Sequence, residues 1–291
     1  MDRVAVLGST GQYGHDCVEV LQSAGTFEVF SLDHTQVECT SIASVRNALV
    51  SLKPQIVVNC AAFVRVDDCE DQVREAFEVN ALGALHVARA CAQIGAKCVY
   101  ISTDYVFDGS KESPYVESDG TAPINVYGIS KLAGERLVRE AAPDWLVIRL
   151  ASLFGKVGAR GKSGNFIETV LAKAKNSEPL RMVDDIRISP TYARDAAQVL
   201  CRLLQQGARG VIHAANLGSC TWYEFAKTAL EFCHLESSIQ PVSSSEYPTQ
   251  ARRAKNSALA SERLGSEFNI SVPDWRAALH SYLIEKEHLS S

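Results

Sequence analysis

Long hydrophobic runs are absent from this 291-residue chain, and no stretch approaches the ~18 apolar residues of a membrane span. After Met1-Asp2-Arg3 the first apolar run is only Val4–Leu7, too short for the core of a secretory signal. The chain also has little excess charge: 29 Lys and Arg stand against 34 Asp and Glu, a net charge of -5, which argues against a nucleic-acid or anionic-membrane surface built on bulk charge. The nine cysteines include no Cys-x-x-Cys pair and are odd in number, so neither a disulfide framework nor a metal site is expected, and they read as small apolar residues in a cytoplasmic, soluble protein. What is present is ordinary for a globular enzyme: 46% hydrophobic and 22% charged residues, in a chain long enough for one large or two smaller domains.

The first half alternates two kinds of segment. Val4–Leu7, Phe27–Leu32, Ile56–Val58, Lys97–Ile101 and Trp145–Leu150 are short apolar runs rich in Val and Ile. Between them, His15–Ala24, Ile42–Leu52, Val73–Ile94 and Tyr127–Ala141 carry a helical period. Continuous apolar strands joined by helix-sized crossovers predict a parallel sheet buried on both faces. The expected fold class is therefore α/β, a Rossmann-type doubly wound parallel sheet. Val211–Ala214 reads as one more strand of it. Gly155–Gly164, with four glycines, reads as a mobile loop, and helices are expected over Asn165–Lys175, Asp195–Gln206, Tyr223–Cys233, Ala258–Leu264 and Trp275–Glu285. This divides the chain into a dinucleotide-binding domain (1–154 plus about 191–215) and a smaller mixed substrate domain (about 155–190 plus 216–291).

Gly8-Ser9-Thr10-Gly11-Gln12-Tyr13-Gly14 lies between the first strand and the first helix, where glycine permits a tight turn and lets backbone approach a pyrophosphate. Asp33 closes the second strand 19 residues beyond Gly14, a spacing that strengthens the reading. It would accept hydrogen bonds from an adenosine ribose, which leans the preference toward NADH over NADPH; a solvated strand-end aspartate is the competing reading. Small residues at Asn59-Cys60-Ala61-Ala62 would let backbone pass beside a nicotinamide or would simply pack tightly, and Asn80 reads as a buried hydrogen-bonding residue.

The sharpest constellation is Ser102-Thr103-Asp104-Tyr105, followed by Tyr127-Gly128-Ile129-Ser130-Lys131. Tyr127 and Lys131, four apart, share one helical face. An ammonium beside a phenol lowers the phenol's pKa, so Tyr127 could exchange a proton, and Thr103 could bond the same substrate oxygen. Gly128 and Gly134 each cost that helix roughly 1 kcal/mol relative to Ala, a cost expected where a helix lies close against a sheet or ligand. Arg252-Arg253 could reach a substrate phosphate or form a solvated pair; His213 and His234 read as packed or surface histidines.

Together these residues resemble the extended short-chain dehydrogenase/reductase superfamily and, within it, the dTDP-4-dehydrorhamnose reductase family. The resemblance spans nearly the whole chain. It is most specific over Ser102-Thr103-Asp104-Tyr105-Val106-Phe107-Asp108-Gly109 and Ala122-Pro123-Ile124-Asn125-Val126-Tyr127-Gly128. Further matches are Val66-Asp67 with Glu70, Lys131-Leu132-Ala133-Gly134-Glu135, Asn165-Phe166, Ser189-Pro190-Thr191-Tyr192 with Asp195, and Asn256-Ser257 with Leu259.

The resemblance implies that Tyr127 protonates the oxygen on carbon 4 of a sugar as hydride arrives from NADH or NADPH. It implies that Lys131 holds the cofactor ribose, that Thr103 and Asp104 contact the sugar, that Gly8, Gly11, Gln12, Tyr13 and Gly14 lie along the pyrophosphate, and that Ala61 and Ala62 lie beside the cofactor. Arg253 would complete the substrate site. A nucleotide sugar is the expected partner, with no nucleic acid or membrane, and a homodimer is compatible with the sequence.

Sugar-nucleotide dehydratases of the superfamily carry Thr-Asp-Glu where this chain has Thr103-Asp104-Tyr105, which favours simple reduction. Three positions depart from the reductase pattern and bear on which sugar is bound: Ser152 in place of a Trp, Val64 in place of a Thr, and Ala254 in place of a Pro. Two other readings compete. One is a non-catalytic binding protein like the regulatory beta subunit of methionine adenosyltransferase; the other is a related epimerase or ketone reductase.

Overall fold

The computed structural model describes residues 1–158 and 164–289, so part of the expected loop between Gly155 and Gly164 lies outside the described residues. Six parallel strands form the central sheet: β1 (Asp2–Leu7), β2 (Phe27–Leu32), β3 (Ile56–Asn59), β4 (Lys97–Thr103), β5 (Trp145–Leu150) and β6 (Gly210–His213). Their order is β6-β5-β4-β3-β1-β2. Val4 stands opposite both Val29 and Ile56, so β1 is the strand from which the chain steps first to one side and then to the other. The carboxyl ends of β1 and β3 therefore flank the switch point, where doubly wound sheets open a crevice for ligands.

The main helices among the described residues are α1 (Gln12–Ser23), α2 (Ile42–Leu52), α3 (Ala84–Ile94), α4 (Val126–Ala141), α5 (Phe166–Lys175), α6 (Ala193–Gln205), α7 (Trp222–Phe232) and α8 (Trp275–Glu285). Alternation along the strands divides the sheet's side chains between two buried faces. Val4, Val6, Ile56, Val58, Val99 and Ile148 pack with Cys17 and Leu21 of α1 and Val199, Leu200 and Leu203 of α6. Ala5, Leu7, Val57, Cys98, Tyr100 and Val147 pack with Val45 and Leu49 of α2, Val87 and Cys91 of α3 and Val138 of α4. A strand buried on both faces cannot afford polar alternation, and this is the origin of the continuous apolar runs.

A separate cluster joins Ile167 and Leu171 of α5, Phe225 and Ala229 of α7, Trp275, Leu279 and Leu283 of α8, and the connecting residues Phe154 and Tyr192. Three small ladders brace it, Leu180–Val183 with Ile239–Val242, Arg187–Ile188 with Cys220–Thr221 and Leu153–Phe154 with Thr191–Tyr192. Among the described residues no helix is long and apolar enough to cross a membrane, and all nine cysteines are free of disulfides.

One expected helix gains a change of pitch and another is corrected. Val73–Ile94 is helical from end to end, with a widened π-helical turn at Glu78–Gly83 between Val73–Phe77 and α3. The turn carries Asn80, whose carbonyl accepts from the buried Tyr100 hydroxyl at 2.7 Å. The expected helix at Ala258–Leu264 shrinks to Glu262–Ser266, because Ala258 and Leu259 are extended. There the Ala258 carbonyl accepts from the Tyr115 amide at 2.8 Å and the Leu259 amide donates to Ser189 Oγ at 3.0 Å. These tertiary bonds override a weak helical propensity.

Candidate active site

The turn after β1 is shaped by its glycines. Gly8 has φ +72°, in the left-handed region, and a Cβ there would stand 2.9 Å from the Ala61 amide nitrogen. A Cβ on Gly14 would collide with the Gly8 carbonyl oxygen. Gly11 precedes α1 in extended conformation with no capping side chain. The first amides of α1, at Gln12, Tyr13 and Gly14, consequently have no intrahelical acceptor and sit at the positive end of the helix dipole.

The side chains of this turn point elsewhere. Gln12 Nε2 donates to the Leu153 carbonyl at 3.1 Å. The Tyr13 ring is buried in the sheet core, with its hydroxyl 3.4 Å from the Ala196 carbonyl oxygen. At Gln12 and Tyr13 only backbone is available to an anion.

Asp33 Oδ1 is engaged in a local turn, accepting from the Thr35 amide at 2.8 Å and the Thr35 hydroxyl at 2.5 Å. Those Thr35 bonds hold its carboxyl below the usual range. One oxygen is thus committed to the solvated-turn role, and the lean toward NADH loses the support of a wholly free carboxylate. At the end of β3, Asn59 Oδ1 accepts from the Ala61 amide at 3.1 Å. Asn80 braces the following segment, accepting from the Phe63 amide at 2.9 Å and donating to Ser130 Oγ at 3.0 Å.

β4 delivers Thr103 and Asp104 together. Thr103 Oγ1 donates to Asp104 Oδ1 at 3.0 Å and accepts from the Tyr105 amide at 3.2 Å. Asp104 is buried, and its Oδ2 has no hydrogen-bond partner among the described residues. Burial pushes its carboxyl up to about 6. A buried, unsatisfied carboxylate oxygen is costly and points to a ligand hydroxyl.

Asn125 caps α4, its Oδ1 accepting from the Gly128 amide at 2.8 Å, and Glu70 accepts from the Val126 amide at 2.9 Å. Tyr127 is buried edge-on to Tyr105, with ring centroids 5.5 Å apart. Burial raises the Tyr127 phenol above its ordinary value, and a hydrogen bond with Thr103 opposes this in part. Thr103 and Tyr127 therefore converge.

The Lys131 ammonium donates to the Ile101 carbonyl at 2.6 Å and lies 4.1 Å from the Tyr100 ring centre. Burial pulls its own pKa down to about 7. Tyr127 keeps its proton at neutral pH, the state an acid requires.

Beside Asp104 and Tyr105 opens a cleft of about 990 Å³. Asp67, Arg253 and Ser257 line it on one part, and Phe166, Arg181 and Trp222 on another. Arg253 is not a solvated tail residue: Nη2 meets Asp67 Oδ2 at 3.0 Å and the guanidinium lies 5.8 Å from the Tyr105 ring centre. Val64, Ser152 and Ala254, the three departures, all line this cleft. Ser152 adopts φ +41°, unusual for a residue with a side chain.

One buried group escaped the sequence reading of the site. Glu135 forms a bidentate pair with Arg149, with Nε–Oε1 2.9 Å and Nη2–Oε2 2.8 Å, and accepts from Ser102 Oγ at 2.5 Å. The signal was available: Arg149 is a lone charge in an apolar strand run and must find a buried partner.

The glycine turn at the switch point, three uncapped amides, and a Thr–Tyr–Lys set at the ends of β4 and α4 define a nicotinamide-dependent oxidoreductase of the extended short-chain dehydrogenase/reductase type. The family model described as RmlD substrate binding domain matches residues 2–287. The chain belongs to that family, among the dTDP-4-dehydrorhamnose reductases. It is 39% identical over 286 residues to the spore coat polysaccharide biosynthesis protein SpsK of Bacillus subtilis, covering 98% of each chain. It is 36% identical over 294 residues to the dTDP-4-dehydrorhamnose reductase of Burkholderia thailandensis, covering 95% of this chain and 96% of the relative. The crystal structure of dTDP-4-dehydrorhamnose reductase from Bacillus anthracis, in complex with NADP, superposes with a TM-score of 0.91 at 34% identity, covering 98% of this chain and 99% of that one.

Proposed function

We propose that this protein reduces the 4-keto group of a nucleotide-linked 6-deoxysugar, converting dTDP-4-dehydro-L-rhamnose to dTDP-L-rhamnose at the expense of NADH or NADPH, as a soluble cytoplasmic enzyme. The observation that carries the reading is the convergence of Thr103, a protonated Tyr127 and an orphaned Asp104 oxygen beside an open cleft. The residues present fit the cofactor: the free amides of Gln12, Tyr13 and Gly14 suit a pyrophosphate, and Lys131 suits a ribose hydroxyl. When bound, the reduced nicotinamide supplies the hydride.

The chain's own residues do the remainder. Tyr127 donates its proton to the oxygen that becomes an alkoxide, and Thr103 bonds the same oxygen and fixes its direction. Asp104 Oδ2 accepts from a sugar hydroxyl, and Arg253, held by Asp67, sits ready for a substrate phosphate. Residues 1–154 and 191–215 serve the dinucleotide, and residues 155–190 and 216–291 serve the sugar nucleotide. Tyr105 in place of a Glu removes the base a dehydratase would use. That Val64, Ser152 and Ala254 share the cleft makes it the place where sugar preference is set.

The test follows loss of nicotinamide absorbance when the protein meets either reduced cofactor and dTDP-4-dehydro-L-rhamnose. Turnover is expected, and Tyr127→Phe is expected to lower kcat by about 10²- to 10⁴-fold. A Tyr127→Phe variant near the wild-type rate removes the proton-donor assignment. Tight cofactor binding without turnover of any keto-sugar favours the non-catalytic reading.

A further inference from the structure

Glu135 lies one helical turn beyond Lys131 and is buried with its partners Ser102 and Arg149. Ser102 immediately precedes Thr103, and the Lys131 ammonium bonds the carbonyl of Ile101, one residue earlier. Helix α4, which carries Tyr127 and Lys131, is thereby joined to β4, which carries Thr103, at two consecutive residues. Arg149 extends the joint to β5 and onward: its Nη1 lies 3.4 Å from His213 Nε2 on β6, and its guanidinium lies 5.3 Å from the Phe107 ring centre. His213 Nδ1 faces the carbonyls of Tyr115 and Ala260 at 3.2 and 3.0 Å. Two acceptors fix the proton on Nδ1, leaving Nε2 to accept from Arg149.

We propose that Glu135 is a positioning residue for the reduction, setting the spacing of Tyr127 and Lys131 against Thr103. The proposal rests on the reductase reading above. The groups acting on Lys131 are Glu135 on its own helix, the Tyr100 ring from β4, the Cys60 thiol after β3 and the Cys39 thiol between β2 and α2. Burial holds the Cys39 thiol neutral, its pKa raised to about 11. Glu135 is the carboxylate among them and the foremost influence opposing the loss of the Lys131 proton to burial. The sign follows. The ammonium exists below the Lys131 pKa and is lost above it, so removing the Glu135 charge moves that loss to lower pH.

Glu135→Gln preserves shape and removes the charge. The expected result is a kcat near neutral pH lower by about tenfold or more, with the alkaline limb of log kcat against pH moved down by about one unit. Glu135→Asp keeps the charge and is expected to return the limb to its wild-type position while kcat stays low, because the shorter side chain cannot span Ser102 and Arg149. A Glu135→Gln enzyme that melts like wild type and keeps the wild-type limb overturns the proposal. Should Glu135→Gln not fold, Ser102→Ala removes the bond joining Glu135 to β4 and leaves the buried ion pair whole. A lowered kcat in that variant sustains the proposal, and a wild-type kcat overturns it. Absence of turnover in wild type instead defeats the reductase reading; wild-type turnover abolished by Tyr127→Phe but unaltered by Glu135→Gln defeats the positioning claim alone.

Discussion

Asp104 combines three properties: near-complete burial, a pKa raised by that burial against opposing hydrogen bonds from Ser257 and Thr103, and an Oδ2 with no hydrogen-bond partner among the described residues. Its folded-state value of about 6 gives the site a pH dependence with a definite sign. In the proposed role, the carboxylate above that value accepts from a sugar hydroxyl, and below it the proton blocks one acceptor position. KM for the keto-sugar is therefore expected to rise as pH falls through about 6. Asp104→Asn should remove that limb and raise KM at pH 7 by about tenfold, the worth of one hydrogen bond to a charged group. Initial rates at varied sugar concentration across pH 5 to 8 check both (about the range either side of the titration). At the same scale, burial keeps the Tyr127 phenol protonated through this range, so the limb belongs to Asp104 and not to the proton donor.

Helix α4 explains its two internal glycines by what touches them. A Cβ at Gly128 would strike the Tyr105 carbonyl oxygen and stand 3.0 Å from Pro123 Cβ; one at Gly134 would strike the Asn80 carbonyl and the Tyr100 hydroxyl. Alanine gains roughly 1 kcal/mol of helix propensity at either position, but overpacking against backbone costs about 1–3 kcal/mol. Gly128→Ala and Gly134→Ala are expected to lower Tm, and Gly128→Ala to lower kcat further because it displaces the neighbouring Tyr127; thermal melts and initial rates measure each.

How far this was legible is clear from the same elements. The apolar runs located every strand of the sheet, since burial on both faces leaves a continuous signal. The close approach at α4 was readable as two glycines without an evident reason. The widened turn at Asn80 was not, because apolar periodicity is nearly the same for α and π turns over a few residues, and the difference is made by the Tyr100 hydroxyl arriving from 20 residues away. In the proposed site, Tyr127 and Lys131 were read from their spacing and Thr103 from its place at the end of a strand. The direction of the Lys131 ammonium toward Ile101 and the pairing of Arg253 with Asp67 could not, as both depend on segments brought together only by the fold.

The whole molecule has separate apolar cores, one under each of the regions proposed to hold the cofactor and the sugar nucleotide. Tyr13 and Cys17, at the uncapped start of α1, belong with the sheet core, whereas Trp222, tilted against Phe166 with ring centroids 4.7 Å apart, packs on the cluster of α5, α7 and α8 and lines the cleft. A ligand present at ~100 times its Kd stabilises the folded state by about 2.7 kcal/mol, a rise of several degrees in Tm for a chain of this size. NADPH and dTDP are each expected to raise Tm. Gly14→Ala drives a methyl group into the Gly8 carbonyl and distorts the amides that meet a pyrophosphate, so it should erase the NADPH increment and spare that of dTDP. Trp222→Leu keeps an apolar contact for Phe166 but removes a flat ring from the cleft, so it should shrink the dTDP increment and spare that of NADPH. Differential scanning fluorimetry of the wild type and both variants with each ligand reads all of these increments. Loss of both increments in either variant would mean that cofactor and nucleotide sugar share one site, contrary to the division of labour between sheet and cleft.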